Sequence, residues 1–241
     1  MNLRRFVLAM QFLTRLPTPQ VKDFEPSELS RSAVYFPLVG ALIGALLLIP
    51  LLMFATRPWL AAVLALLLWV WITGALHLDG LGDVADAFGA AHRNPARFLE
   101  VLKDPHLGVF GVVSIVMQLL LKLVLLAELA RSPWPWAIVL IPAWARAATL
   151  WWSQRLPPLQ PGMGERFAWQ LGSFDIVAWA VVLGIVSLAL APSLLLALPL
   201  TLLISVYWRR QLGGISGDCL GASIEVMETS LLLIVVLAAA A

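Results

Sequence analysis

Three aspartates, Asp79, Asp83 and Asp86, follow directly on the apolar run 59–78. Their spacing of i, i+4, i+7 puts all three carboxylates within about 60° of one helix face. Like charges at a membrane boundary repel one another, and a cation that neutralises them relieves the repulsion; hard oxygen ligands suit Mg²⁺. The surrounding segment 73–90, TGALHLDGLGDVADAFGA, adds His77 and the glycines Gly74, Gly80, Gly82 and Gly89. Glycine admits close backbone approach, at about 1 kcal/mol of helix stability each relative to Ala. A merely acidic loop is the alternative, but three carboxylates on one stripe exceed what solubility requires.

Two further segments carry chemistry. Residues 102–111, LKDPHLGVFG, place Lys103 and Asp104 before Pro105, which suits the first turn of a following helix. Asp104 alone reads as readily as a helix cap as it does a functional acid, and His106 as interfacial rather than a ligand. Residues 213–222, GGISGDCLGA, set Gly213, Gly214, Gly217 and Gly221 around Asp218 at the mouth of the last apolar run. Backbone N–H groups of such a loop, opening on a helix N-terminus, can cradle phosphate oxygens. No Gly-Lys-Ser/Thr follows, so this is not a Walker loop. A helix cap at Asp218 is the plainer alternative.

Charges inside apolar runs come next. Arg146 is placed to reach the same face and hold a phosphate bidentately, or to serve a carboxylate such as Glu225 as structural partner. Glu225 and Glu228 are also candidates for pairing with cations. Lys122 is expected to snorkel or to pair with Glu128. Clustered aspartates, a glycine loop and an intramembrane Arg on one face suggest Mg²⁺-assisted phosphoryl transfer, with a carboxylate accepting the proton of an attacking hydroxyl.

The elements that must position these groups are membrane helices. The chain has 241 residues, 61% hydrophobic and 12% charged, with a mean hydropathy of +0.91. A soluble domain of this size needs a far more polar surface. The net charge of +2 is weak evidence for an anionic partner, and the single Cys219 excludes an internal disulfide. The apolar stretch 6–13 is short and is followed by Pro17 and Pro19 rather than a cleavage site. We expect an all-α, polytopic membrane helix bundle: a single integral membrane domain over 1–241, with 1–31 an N-terminal cytoplasmic or interfacial segment. About seven transmembrane helices are expected, at 33–54, 59–77, 107–130, 134–152, 174–191, 193–208 and 219–241. Residues 2–14 resemble an amphipathic interfacial helix, and Pro17, Pro19 and Pro26 end it.

With the N-terminus in the cytoplasm, twelve Lys and Arg fall inside, among them Arg4, Arg5, Arg15, Arg93, Lys103, Arg166 and Arg209, against Arg57 and Arg131 outside. That is a strong positive-inside bias. The same orientation gathers the Asp79–Asp86 stripe, Asp104 and Asp218 on the cytoplasmic face. Trp59, Trp134, Trp136, Trp151, Trp152 and Trp208 bracket the runs and read as an aromatic belt.

The segments FLTRLPTP (12–19), YFPLVGALIG (35–44), TGALHLDGLGDVADAFGA (73–90), KDPHLGVFG (103–111) and LGGISGDCLGA (212–222) together resemble the cobalamin synthases, or adenosylcobinamide-GDP ribazoletransferases. The motifs run in order from residue 12 to about 230. The resemblance implies a multi-pass inner-membrane enzyme of late cobalamin assembly. Such an enzyme joins adenosylcobinamide-GDP to α-ribazole or its 5′-phosphate, releases GMP and requires Mg²⁺. It implies small-molecule substrates in a lipid bilayer, no nucleic acid, and leaves a homo-oligomer open. Carried over, it makes Asp79, Asp83, Asp86 and Asp218 metal ligands, with Asp83 or Asp86 also catalytic. It sets Lys103, Asp104, Gly213, Gly214 and Gly217 near the phosphates, where the residue reading above also puts Arg146. Gly82, Ala87 and Cys219 depart from the pattern, but no acid is lost.

Three rivals can be weighed. A CDP-alcohol phosphotransferase opens its motif Asp-Gly-x-x-Ala-Arg, whereas Asp79-Gly80 is followed by Leu81-Gly82-Asp83. A cation transporter places acids near the midplane and often carries inverted repeats, neither of which is found here. A non-catalytic scaffold leaves the converging acids and glycines without a purpose.

Overall fold

The computed structural model describes residues 2–22, 24–91, 94–159 and 171–240; Arg93 and Arg166 lie outside the described residues. These residues are helical throughout their ordered elements. An amphipathic helix α1 (Leu3–Leu13) buries Leu8, Ala9, Met10 and Leu13. A short α2 (Pro26–Ser32) then leads through one 3-10 turn into α3 (Phe36–Met53). In α3, Gly40 and Gly44 let the backbone around Val139 and Ala143 come close: a Cβ at Gly40 would lie 2.8 Å from the Ala143 Cα.

Helices α4 (Pro58–Thr73) and α5 (Leu76–Ala91) are separated by Gly74 and Ala75, both at φ +60°. Gly74 takes that conformation freely, whereas Ala75 accepts roughly 1 kcal/mol of strain. The two helices diverge by 85° as a result. The aspartate helix α5 is therefore not a straight continuation of the span that precedes it. Arg15 braces the corner, its backbone N–H donating to the Ile72 carbonyl at 2.7 Å and its side chain lying over Gly74.

The remaining helices are α6 (Pro95–Val101), α7 (Val109–Arg131), α8 (Leu140–Arg155), α9 (Ser173–Leu190), α10 (Ala197–Gln211) and α11 (Gly217–Ala240). Helix α11 is the centre of the bundle, packed against α5, α7 and α8. Large apolar side chains such as Val112, Val116, Leu120, Val181 and Ile185 point outward on α7 and α9, the surface a lipid solvent rather than water would cover.

Among the described residues five helices are long and apolar enough to cross a membrane, or six if the bent pair α4–α5 is one span. One of the five extends from Pro192 through α10 to Gln211, whereas α8, with Arg146 inside it, is not among them. The seven spans expected from hydropathy exceed what helix length and composition establish. The aromatic belt also needs correction. Trp152 and Trp208 are buried and bond inward, to the Thr201 carbonyl at 3.0 Å and the Ser223 hydroxyl at 2.7 Å. Position near a run's end does not reveal which way the ring faces. Trp59 and Trp136 stay exposed.

Candidate active site

Asp79, Asp83 and Asp86 all lie on α5, with Asp79 exposed and the other two half-buried. The stripe reaches water because the opposite face of the helix is consumed by packing. His77, Gly80, Val84 and Ala87 are buried. Gly80 sits against the start of α11, where a Cβ would stand 2.8 Å from the Asp218 carbonyl oxygen and 3.0 Å from its Cα. One turn further along α11, Gly221 faces the His77 backbone, 3.4 Å from the corresponding point. This glycine seam sets Asp218 beside Asp79 and Asp83.

Electrostatics agree with that placement. Helix α5 lies outside the straight spanning helices, and burial pushes the Asp83 carboxyl up to about 6, with Asp79, Asp218 and Asp86 adding repulsion in that order. Asp218 is not spent as a helix cap, as the plainer alternative had it. Ser216 takes that duty, its hydroxyl accepting from the Cys219 N–H at 3.2 Å.

Asp86 does something the sequence did not announce. Its two carboxylate oxygens accept the backbone N–H groups of Gly108 at 2.7 Å and Gly111 at 2.9 Å. It thereby caps α7 from a neighbouring helix, where negative charge meets the positive end of the helix dipole. The same bonds draw the loop 103–108 to the end of the aspartate stripe. Lys103 and Asp104 are both exposed on that loop. Pro105 lies in the loop, because α7 begins only at Val109. Asp104 is not the α7 cap either; it accepts the His106 backbone N–H at 3.0 Å and pairs with the His106 ring at 2.7 Å. Those His106 bonds hold the Asp104 carboxyl below the usual carboxylate range.

The glycine loop divides in its roles. Ile215 and Leu159 pin it, by Ile215 N–H to the Pro157 carbonyl at 2.9 Å and Leu159 N–H to the Ile215 carbonyl at 3.0 Å. Gly214 packs against that strap, Gly213 takes φ +76°, and Gly217 opens onto free space. Gly214 is thus explained by packing, whereas Gly217 leaves room for a ligand at the α11 N-terminus.

Arg146 is placed elsewhere. Its side chain is fully buried and bonds the Glu228 carboxylate, so in this structure the guanidinium is engaged inside the bundle rather than open to a phosphate. The partner is Glu228, not Glu225. Lys122 likewise does not snorkel or pair with Glu128: it is buried and donates to Glu225 and Glu228 at 2.7 Å each. Glu128, six residues on and about 240° around the helix, pairs with Arg131 instead. A countable signal for this network existed: two bases and two acids lie within apolar runs, and such charges pair with one another.

The donor set at the aspartate face is all carboxylate oxygen, the chemistry a hard divalent cation takes. Among the described residues no three His, Cys, Asp or Glu side chains converge tightly enough to cage a metal by themselves. Mg²⁺ rarely requires that, being held by one or two carboxylates plus water and substrate phosphates.

Comparison with known proteins agrees with the motif reading. The family model for Cobalamin-5-phosphate synthase matches residues 5–236. A protein of Laribacter hongkongensis named adenosylcobinamide-GDP ribazoletransferase is 52% identical, covering 98% of both chains. Proteins of that name from Thiobacillus denitrificans and Novosphingobium aromaticivorans are 50% and 46% identical, each covering 96% of this chain and 94% and 95% of their own. No solved structure matches. The acids, the glycine seam and these likenesses along nearly the whole length agree: the chain belongs to the cobalamin-5-phosphate synthase family, the adenosylcobinamide-GDP ribazoletransferases.

Proposed function

We propose that this chain joins adenosylcobinamide-GDP to α-ribazole or its 5′-phosphate at the cytoplasmic face of the inner membrane, in a Mg²⁺-dependent reaction that releases GMP. The observation that carries the reading is the meeting of three distant segments. Asp86 holds the 103–108 loop, and Gly80 brings Asp218 against α5. The twelve-to-two bias of Lys and Arg supports the cytoplasmic side.

In this scheme the ribose hydroxyl of the ribazole attacks the phosphorus nearest cobinamide. A new P–O bond forms, the bridging P–O bond breaks, and GMP leaves with the bridging oxygen. Asp83 accepts the hydroxyl proton. Its carboxyl, pushed up to about 6, is a better base than an ordinary carboxylate and is still ionised at neutral pH. Asp86 suits the role less, since both of its oxygens already accept backbone N–H groups. Asp79 and Asp218 would hold the cation, which supplies charge neutralisation on the diphosphate when bound, and leave the Asp83 carboxylate free to take the proton. Lys103 and the Gly217 amide region supply positive character for the phosphates.

The test is direct. Purified protein in lipid vesicles, given both substrates, should release GMP and form the joined corrinoid on addition of Mg²⁺ and stop on chelation. No GMP at any Mg²⁺ concentration would favour a cation-transport role for the aspartates.

A further inference from the structure

The transferase reading leaves unexplained a set of charges sealed inside the bundle. Lys122 donates to Glu225 and Glu228 at 2.7 Å each and stands 4.2 Å over the Trp69 ring. Gln118 donates to the Glu225 carboxylate at 2.9 Å and to the Thr229 hydroxyl at 2.7 Å. The second oxygen of Glu228 takes Arg146. Two cations meet two carboxylates, so the cluster is neutral and tolerable in apolar surroundings. Apolar side chains of similar volume would hold such a core about as well, so stability alone does not call for it.

One contact leaves the closed set. The other terminal nitrogen of Arg146 lies 3.3 Å from Nδ1 of His77, two residues before Asp79 on α5. A guanidinium can only donate, so Nδ1 accepts and the imidazole carries its proton on Nε2. Two residues are about 200° apart on a helix. Drawing the His77 ring inward therefore turns the Asp79 stripe outward, and the His77 backbone is also where Gly221 packs.

We propose that Arg146 is a positioning residue that acts through His77: it sets the rotation of α5, and so aligns Asp79 and Asp83 with Asp218. The inference rests on the proposed transferase reaction. Its test compares His77→Asn, whose side-chain oxygen accepts close to where Nδ1 did, with His77→Leu, which fills the space without an acceptor. Each is assayed in vesicles for GMP release and for hydrogen exchange of the amides of residues 76–91. The Asn variant should keep kcat within about threefold, whereas the Leu variant should lose roughly tenfold or more, with KM for adenosylcobinamide-GDP within about twofold and faster exchange along α5. Equal loss in both variants, a change in KM alone, or no loss overturns the proposal. Should the Leu variant not fold, His77→Gln replaces it, since its acceptor falls on the Nε2 side; wild-type kcat there overturns the proposal equally. If the wild-type protein releases no GMP, the transferase reading fails. The exchange data still judge the tether, because equal exchange in the Asn and Leu variants would show that Arg146 does not hold α5.

Discussion

Replacing Gly80 with Ala tests whether the α5–α11 seam controls the chemistry. The added Cβ would stand 2.8 Å from the Asp218 carbonyl oxygen and 3.0 Å from its Cα. Comfortable contacts begin near 3.5 Å, so the helices must part by about 0.5–0.7 Å at the level of the acids. Overpacking of this kind costs about 1–3 kcal/mol. The gain in helix propensity, about 1 kcal/mol, offsets part of it. Stability should therefore fall only slightly, by about 0–2 kcal/mol, while a displacement approaching 1 Å lowers turnover by up to about 10²-fold. The assay pairs thermal unfolding in detergent with GMP release in vesicles. A Gly80→Ala protein that melts normally and turns over at the wild-type rate would refute the claim that this close approach aligns the acids.

The pH profile gives a second prediction. A carboxyl raised to about 6 is protonated and unable to act as base below that pH, and ionised above it. The acid limb of kcat/KM should lie above the ordinary carboxylate range near ~4, because burial, the largest cause of the shift, persists when a cation offsets the repulsion of Asp79 and Asp218; GMP release across pH 4.5–8 reads it, and a limb near ~4 contradicts Asp83 as base. Lys122→Met leaves Glu225 and Glu228 without their shared cation, so thermal unfolding should show a loss of about 3–5 kcal/mol; an unchanged melt would mean the carboxylates find other partners. Gly217→Ala meets no protein atom within 4 Å, so stability should hold. If phosphate approaches that point, KM for adenosylcobinamide-GDP rises several-fold, and an unchanged KM removes Gly217 from the site.

Much of the site was legible because short-range spacing dictates it. Asp79, Asp83 and Asp86 share a face by helical period alone, and α5 is helical across all three. The expected convergence of the three acidic stretches appears as contact, Gly80 lying against Asp218 and Asp86 bonding Gly108 and Gly111. What escaped depends on tertiary choice. The 85° bend at Gly74–Ala75 turns on a left-handed alanine, and nothing in Ala75 itself predicts it. Asp86 looks like a ligand in sequence and serves as a cap on another helix, because its partners Gly108 and Gly111 are more than twenty residues away. Arg146, Lys122 and Glu228 were each visible as intramembrane charges. Their pairing required knowing which faces of α7, α8 and α11 meet. Hydropathy likewise could not tell that Trp152 and Trp208 turn into the core, since a ring at a helix end satisfies its N–H equally well with lipid headgroup, water or a buried hydroxyl.

Carboxylates on α5 are the proposed centre of a Mg²⁺-dependent phosphoryl transfer. The most direct measurement is GMP release by Asp83→Asn beside the wild-type chain, at saturating Mg²⁺ and both substrates, in vesicles containing equal amounts of folded protein. The Asn variant keeps the shape and removes the base, and turnover should fall by about 10²-fold or more with the melting temperature maintained. Wild-type turnover from that variant would remove Asp83, and with it the α5 acid stripe, from the chemistry.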